Sequence, residues 1–273
     1  MTNFPEIHPL NASPEISAIY ADIRAVSGLQ MVNLIWRHFA ALPNVLEWAW
    51  AGVRPLVGSQ EMTAARHRLM QAVELPAIAP VSLQAWDAAG VGPSQMHDFQ
   101  SMLAAYIRGN CTNMIALTAL RLRLEGNDRP SAALSAAPLP ATAAQLPPLP
   151  RIDTLDPALA TAIRRLAQHH EGAQGGIIPS LYLELVRWPG LIETVPNWLG
   201  TLYAPQAMLA ARASTIRAAE AEALAMLPTM GSPPQGIEAM RPALAHFTRL
   251  VIPDLIPVCI ALQRLIPLAL SSK

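Results

Sequence analysis

The chain is written twice, and that constrains its fold more than any single motif. Leu34 to Glu47 aligns without a gap on Ser180 to Glu193, with Pro43 meeting Pro189 and Glu47 meeting Glu193. At the same offset Gln60, Met62, Ala64, Ala65 and Arg66 meet Gln206, Met208, Ala210, Ala211 and Arg212. Ser13-Pro14 to Arg24 reads like Asp156-Pro157 to Ala167, and Ala105-Tyr106-Ile107-Arg108 like His246-Phe247-Thr248-Arg249. The offset drifts slightly between these blocks, as short loop insertions would make it do. Solenoid repeats are about 20 to 50 residues long, so a period this long is a duplicated domain.

Hydrophobic residues make up 52% of the 273 positions, while aromatics reach only 5%. Alanine and leucine dominate, which suits closely packed helices better than sheets. We therefore expect an all-α protein: helical repeat 1 over 1–127, a Pro/Ala-rich linker over 128–150 and helical repeat 2 over 151–273. The linker expectation rests on Pro130 to Pro150, which is uncharged and carries six prolines; such a stretch would leave hydrogen bonds unmade in lipid. Thr194 to Ala211, also uncharged, reads as buried helix.

Nineteen basic residues balance nineteen acidic ones, with no basic cluster, so no nucleic-acid partner is expected. No membrane partner is expected either. The amino terminus shows no basic and apolar secretory pattern, which makes the cytoplasm the expected location. Cys111 and Cys259 sit in apolar helical surroundings and read as buried thiols.

Ile16, Ile19, Tyr20 and Ile23 fall on one face of a helix opened by Ser13-Pro14, and Asp156-Pro157 opens its partner. Pro43 and Pro189 are expected to start the third helix of each half. Further helices are expected near 60–74, 94–107, 110–125, 205–226, 235–248 and 252–270. Gly109-Asn110 is expected to break one long helix in two, with Asn110 capping the second piece. In the second half Val251, Ile252 and Pro253 occupy that region, so its polar character is one-sided.

Phe4-Pro5-Glu6-Ile7, Ile19 to Arg24, the Leu42-Pro43 corner, Gly109-Asn110 before Ile115 to Leu120, and Arg187-Trp188-Pro189-Gly190-Leu191 together resemble the DehI family, the group I, non-stereoselective 2-haloacid dehalogenases. The resemblance spans nearly the whole chain. It implies an all-helical pseudo-dimer with a small apolar cleft between its repeats, no cofactor and no metal, and a homodimeric assembly. It also implies a reaction in which an aspartate of the second repeat activates water to displace halide from C2 of a short 2-haloacid, with inversion and no ester intermediate. An asparagine of the first repeat helps hold that water.

Carried over by position, the asparagine falls on Asn110, preceded by glycine as in the family. The aspartate, eight residues before the second corner proline, falls on Leu181. Leucine cannot take a proton, and losing a general base costs about 10² to 10⁴ in rate. Substrate-facing positions fall on Met31, Leu34, Arg108, Ser180 and Leu181, the first two aliphatic where the family is aromatic.

Glu184, one helical turn from Leu181, is a candidate displaced base, or else a solvated or salt-bridged glutamate. Asn110 is a water-holding amide or a plain cap. Arg108 and its counterpart Arg249 could hold a carboxylate or serve as helix-end cations. Glu47 and Glu193 read as first-turn glutamates rather than an acid pair. His169-His170-Glu171 reads as a polar helix end rather than metal ligands, because adjacent helical residues do not face one point. The tryptophans read mostly as core. Two functional readings stand: a hydrolase with altered or lost dehalogenase activity, and a non-catalytic small-molecule-binding or interaction protein. A small carboxylate is the expected ligand of either.

Overall fold

The computed structural model describes residues 4–131, 133–140, 149–173 and 176–267. Among them it is all-α: α1 (Pro14–Ser27), α2 (Leu34–Ala40), α3 (Val45–Val57), α4 (Gln60–Ala72), α5 (Leu83–Ala88), α6 (Pro93–Leu124), α7 (Pro157–Ala167), α8 (Ser180–Glu184), α9 (Pro189–Trp198), α10 (Gly200–Tyr203), α11 (Pro205–Ala225), α12 (Ile237–His246) and α13 (Ile252–Leu265). The paired starts behave alike. Ser13 Oγ accepts the Ile16 N–H at 3.3 Å and Asp156 Oδ1 accepts the Ala158 N–H at 2.9 Å, each ahead of a proline whose missing N–H costs nothing there.

The core is built where α6, α11 and α13 pack on one another, with α3 and α4 laid against α6. Every residue of α6 from Gly109 to Arg121 is buried, so this helix is enclosed on all sides and carries no amphipathic stripe there. Cys111 and Cys259 are buried free thiols, and burial pushes the Cys111 thiol up to about 12. Trp36, Trp50, Trp86 and Trp188 are core, while Trp48 and Trp198 are half-buried.

Several expectations are corrected. The break at Gly109-Asn110 does not occur: α6 is one helix of 32 residues. A Cβ on Gly109 would lie 2.8 Å from Leu29 Cδ1, so the glycine admits a close approach of the chain after α1. Burial overrides its weak helix preference. Pro43 lies in the turn before α3, whose cap is Asn44 at φ 59°, whereas Pro189 does open α9. Thr194 to Ala211 is not one buried helix but parts of α9, α10 and α11.

The second half is bulged where the first runs straight. A π-turn, Phe247–Val251, joins α12 to α13, just before Pro253, whose ring would collide with the Arg249 carbonyl in a regular helix. The resulting run Ile237–Leu265 is long and apolar enough to cross a membrane by length and composition, yet 72% of its most apolar window is buried inside the protein. It is a core helix.

Part of the linker, 141–148, lies outside the described residues. The described part runs beside the α3–α4 corner, where the Gln60 N–H donates to the Ser135 carbonyl and the Ala137 N–H to the Gly58 carbonyl, each at 2.9 Å.

Candidate functional site

A cavity of about 890 Å³ opens between the end of α1, α2, the middle of α6, the entry to α8 and the α12–α13 turn. Its polar groups come mainly from the first half: Arg24, Arg37, Arg108, Asn110 and Asn113, with Tyr106 and Ser180 beside them. Met31, Leu34 and Leu183 supply apolar wall. No carboxylate is among its lining residues, so the cavity is cationic.

Each polar group is held by a local cause. The αL cap of α1, Gly28 at φ 67°, turns its carbonyl toward α6, where it accepts from Arg108 Nη2. A Cβ there would meet Pro140 at 2.7 Å and Arg108 at 3.3 Å, so glycine is required by space as well as by φ. Arg108 Nε is buried without a hydrogen-bond partner. Arg37 pairs with Glu6 at 2.9 Å. Asn113 Oδ1 accepts from Trp36 Nε1 at 3.0 Å.

Asn110 is not a cap. It sits inside α6 and its Nδ2 donates to the Tyr106 carbonyl at 2.9 Å, a bond back along its own helix. Asn110 lines the cavity from the middle of α6. The Tyr106 hydroxyl is buried and makes no hydrogen bond of full geometry. Burial, and then the Glu184 charge, raise its pKa, while the nearby Ser180 hydroxyl opposes the rise.

Met31, Leu34, Arg108, Asn110 and Ser180 are thus brought to one cavity, and Leu181 and Glu184 are not on its wall. Leu181 is fully buried, in the core. Glu184 is only 2% exposed, so of its ordinary readings the solvated one is corrected and the salt-bridged one stands. Its Oε1 has no partner, and Arg187 stands 4.0 Å from Oε2. Desolvation raises its pKa and Arg187 opposes that. Glu47 and Glu193 are exposed, Glu47 in a first turn and Glu193 beyond one, and neither lines the cavity. Arg108 is mid-helix, not a helix-end cation, and Arg249 lies on the π-turn, 3.2 Å from Glu125.

Several features escaped sequence reasoning, among them the cavity residues Arg37, Tyr106 and Asn113. Arg24 lines the cavity, and its repeat counterpart, Ala167, is uncharged, a one-sided difference that could have drawn attention to it. His169-His170-Glu171 follows the end of α7 as a polar segment, but His170 does not share the exposure of its neighbours. It is buried, with Nε2 on the Tyr182 hydroxyl, which in turn lies 3.1 Å from the Tyr203 hydroxyl. Among the described residues no group of three or more His, Cys, Asp or Glu is placed to hold a metal ion.

Solved haloacid dehalogenases share this fold. A complex of a D-2-haloacid dehalogenase mutant with D-2-CPA superposes with a TM-score of 0.77 at 19% identity, over 96% of both chains. A D-2-halacid dehalogenase mutant gives 0.78 at 19% identity, over 96% of this chain and 95% of that one. A complex of D-2-haloacid dehalogenase with L-LA gives 0.76 at 20% identity, over 96% of both. No protein-family model and no curated protein matches this chain. What it shares with these structures is the fold, end to end.

Proposed function

We propose that this chain is a DehI-like protein of two helical repeats, 1–127 and 151–273, whose cavity binds a short carboxylate, and that the family's hydrolysis is altered or lost in it. The observation that carries this reading is the cavity itself: arginines and amides face it and no carboxylate does. Arg108 and Arg24 are the candidates to hold the carboxylate, since a guanidinium meets a carboxylate through paired N–H donors. Asn110 would orient a water or a ligand oxygen, and Met31 and Leu34 would pack on the carbon chain.

Displacement of halide by water needs a group to take the water's proton. The carried-over base position is Leu181, which has no lone pair and is turned into the core. The neighbouring residue on the wall is Ser180, whose hydroxyl is far too weak a base at neutral pH.

The test is halide release from D- and L-2-chloropropionate by wild type, Leu181→Asp and Ser180→Asp, beside 2-chloropropionate binding by calorimetry. We expect wild type to bind without releasing halide, Arg108→Gln to bind at least tenfold more weakly, and Ser180→Asp to gain release where Leu181→Asp does not. Absence of binding would overturn the carboxylate reading. Release by wild type that Glu184→Gln abolishes would instead make this a hydrolase with a displaced base.

A further inference from the structure

Two arginines of the first half lack the acid partners that their counterparts in the second half possess. Arg66 on α4 occupies the place of Arg212 on α11, and Arg108 on α6 that of Arg249. Arg212 Nε donates to Asp254 Oδ1 at 2.6 Å and Arg212 Nη1 pairs with Glu171, while Arg249 pairs with Glu125. In the first half only neutral groups answer. Arg66 donates to the Thr112 and Thr63 hydroxyls at 3.2 and 3.1 Å, and Arg108 to the Gly28 carbonyl. The place of Asp254, 141 residues earlier, holds Asn113, whose oxygen is already taken by Trp36.

Both guanidinium groups border one pocket of about 100 Å³, walled by Ser27, Ser59 and Thr63 and roofed by Ala137 to Pro140. None of its lining residues carries a carboxylate. A water needs about 10–15 Å³ by the same kind of measure, so the space holds several waters or one tetrahedral ion. Burial and the Arg108 charge together lower the Arg66 pKa, as expected of like charges in a partly desolvated place without an acid between them. Ser27 and Ser59 already donate their protons to the Ile23 and Leu56 carbonyls. The guanidinium groups of Arg66 and Arg108 border the pocket beside the Thr63 hydroxyl, which accepts from Arg66, and a planar fork of N–H donors matches oxyanion geometry.

We propose that this pocket binds a small inorganic oxyanion of the phosphate or sulfate kind, which supplies between Arg66 and Arg108 the negative charge that Asp254 and Glu125 supply in the second half. Arg108 borders both spaces, whereas Arg66 lines only the smaller one.

Unfolding temperature of the full chain, measured while inorganic phosphate replaces chloride at constant ionic strength, tests this. Wild type should rise saturably, by about 5 °C at a hundredfold excess over the dissociation constant, and calorimetric titration of phosphate should show one site. Arg66→Gln should lose the phosphate-specific rise. Thr112→Asp, which sets a carboxylate beside Arg66, should be insensitive to phosphate while remaining folded. No saturable heat in wild type, or an equal rise in wild type and a folded Arg66→Gln, would overturn the proposal; so would phosphate sensitivity retained in Thr112→Asp if Arg66→Gln fails to fold.

Discussion

Arg66 and Arg212 stand at matching points of the two halves and live in different electrostatic worlds. Arg212 is closed into an ion network with Asp254 and Glu171, and Gly172 adds its N–H to Asp254 Oδ2 at 3.2 Å. Burial lowers the Arg212 pKa, but the two carboxylates outweigh it and hold the cation charged. Burial likewise pushes the Asp254 carboxyl up while Arg212 and Gly172 pull it back. Arg66 has hydroxyls and a second arginine. At these matched positions the second-half arginine is closed into an internal ion network, while the first-half arginine borders a cavity without a carboxylate.

Breaking the second-half network should produce the largest effect. Asp254 is completely buried, and removing its charge leaves Arg212 to the exposed Glu171 alone. A buried ion pair missing one partner costs about 3 kcal/mol or more. We therefore expect Asp254→Asn to lose about that much in denaturant unfolding, and Arg66→Gln, without bound anion, about 1 kcal/mol or less. Equal losses would break the comparison, because Arg66 would then carry as much structural weight as Arg212.

The halves should also differ in acid. The residue closing α1 is Ser27, whereas the matching position after α7 is His170, buried on Tyr182. Burial first, then His169 and Arg212, hold the His170 pKa down to about 3. Below about pH 6.5 the unfolded chain takes up a proton that the folded one refuses, so stability is lost as pH falls through that window. It is fully present above it. The loss reaches on the order of 4 kcal/mol by about pH 3.5. His170→Gln should flatten the dependence of unfolding free energy on pH between about 6.5 and 3.5; an unchanged slope would assign the acid sensitivity to other groups.

How much of this was legible in the sequence follows from which interactions are local. Ser13-Pro14, Asp156-Pro157 and Pro189 mark helix starts because capping and a missing N–H act within one turn. Gly109-Asn110 misled, since weak local propensity lost to burial on every side of α6. The site was legible only in part. Met31, Leu34, Arg108, Asn110 and Ser180 converge on one cavity, but whether Ser180 or Leu181 faces it depends on about 100° of rotation in a five-residue helix, which no alignment resolves. Asp254 opposite Asn113 was a visible charge difference. That Arg212 reaches Asp254 across two helices was not.

The finest difference between the halves is mechanical and concerns two glycines. A Cβ on Gly109 would meet the end of the Leu29 side chain at 2.8 Å, whereas one on Gly172 would meet Val251 N and Cα at 2.7 Å. A leucine side chain can turn aside, and alanine also favours the helix by about 1 kcal/mol over glycine, so Gly109→Ala should cost less than about 1 kcal/mol. The backbone of the π-turn has no such freedom, because moving Val251 displaces Asp254 from Arg212 one turn later. Overpacking of that kind costs about 1–3 kcal/mol, and Gly172→Ala should fall within that range. Unfolding midpoints of the two variants decide the matter. If Gly172→Ala proves the milder change, the π-turn is compliant, and the second-half network tolerates movement that the rigid account of Arg212 and Asp254 forbids.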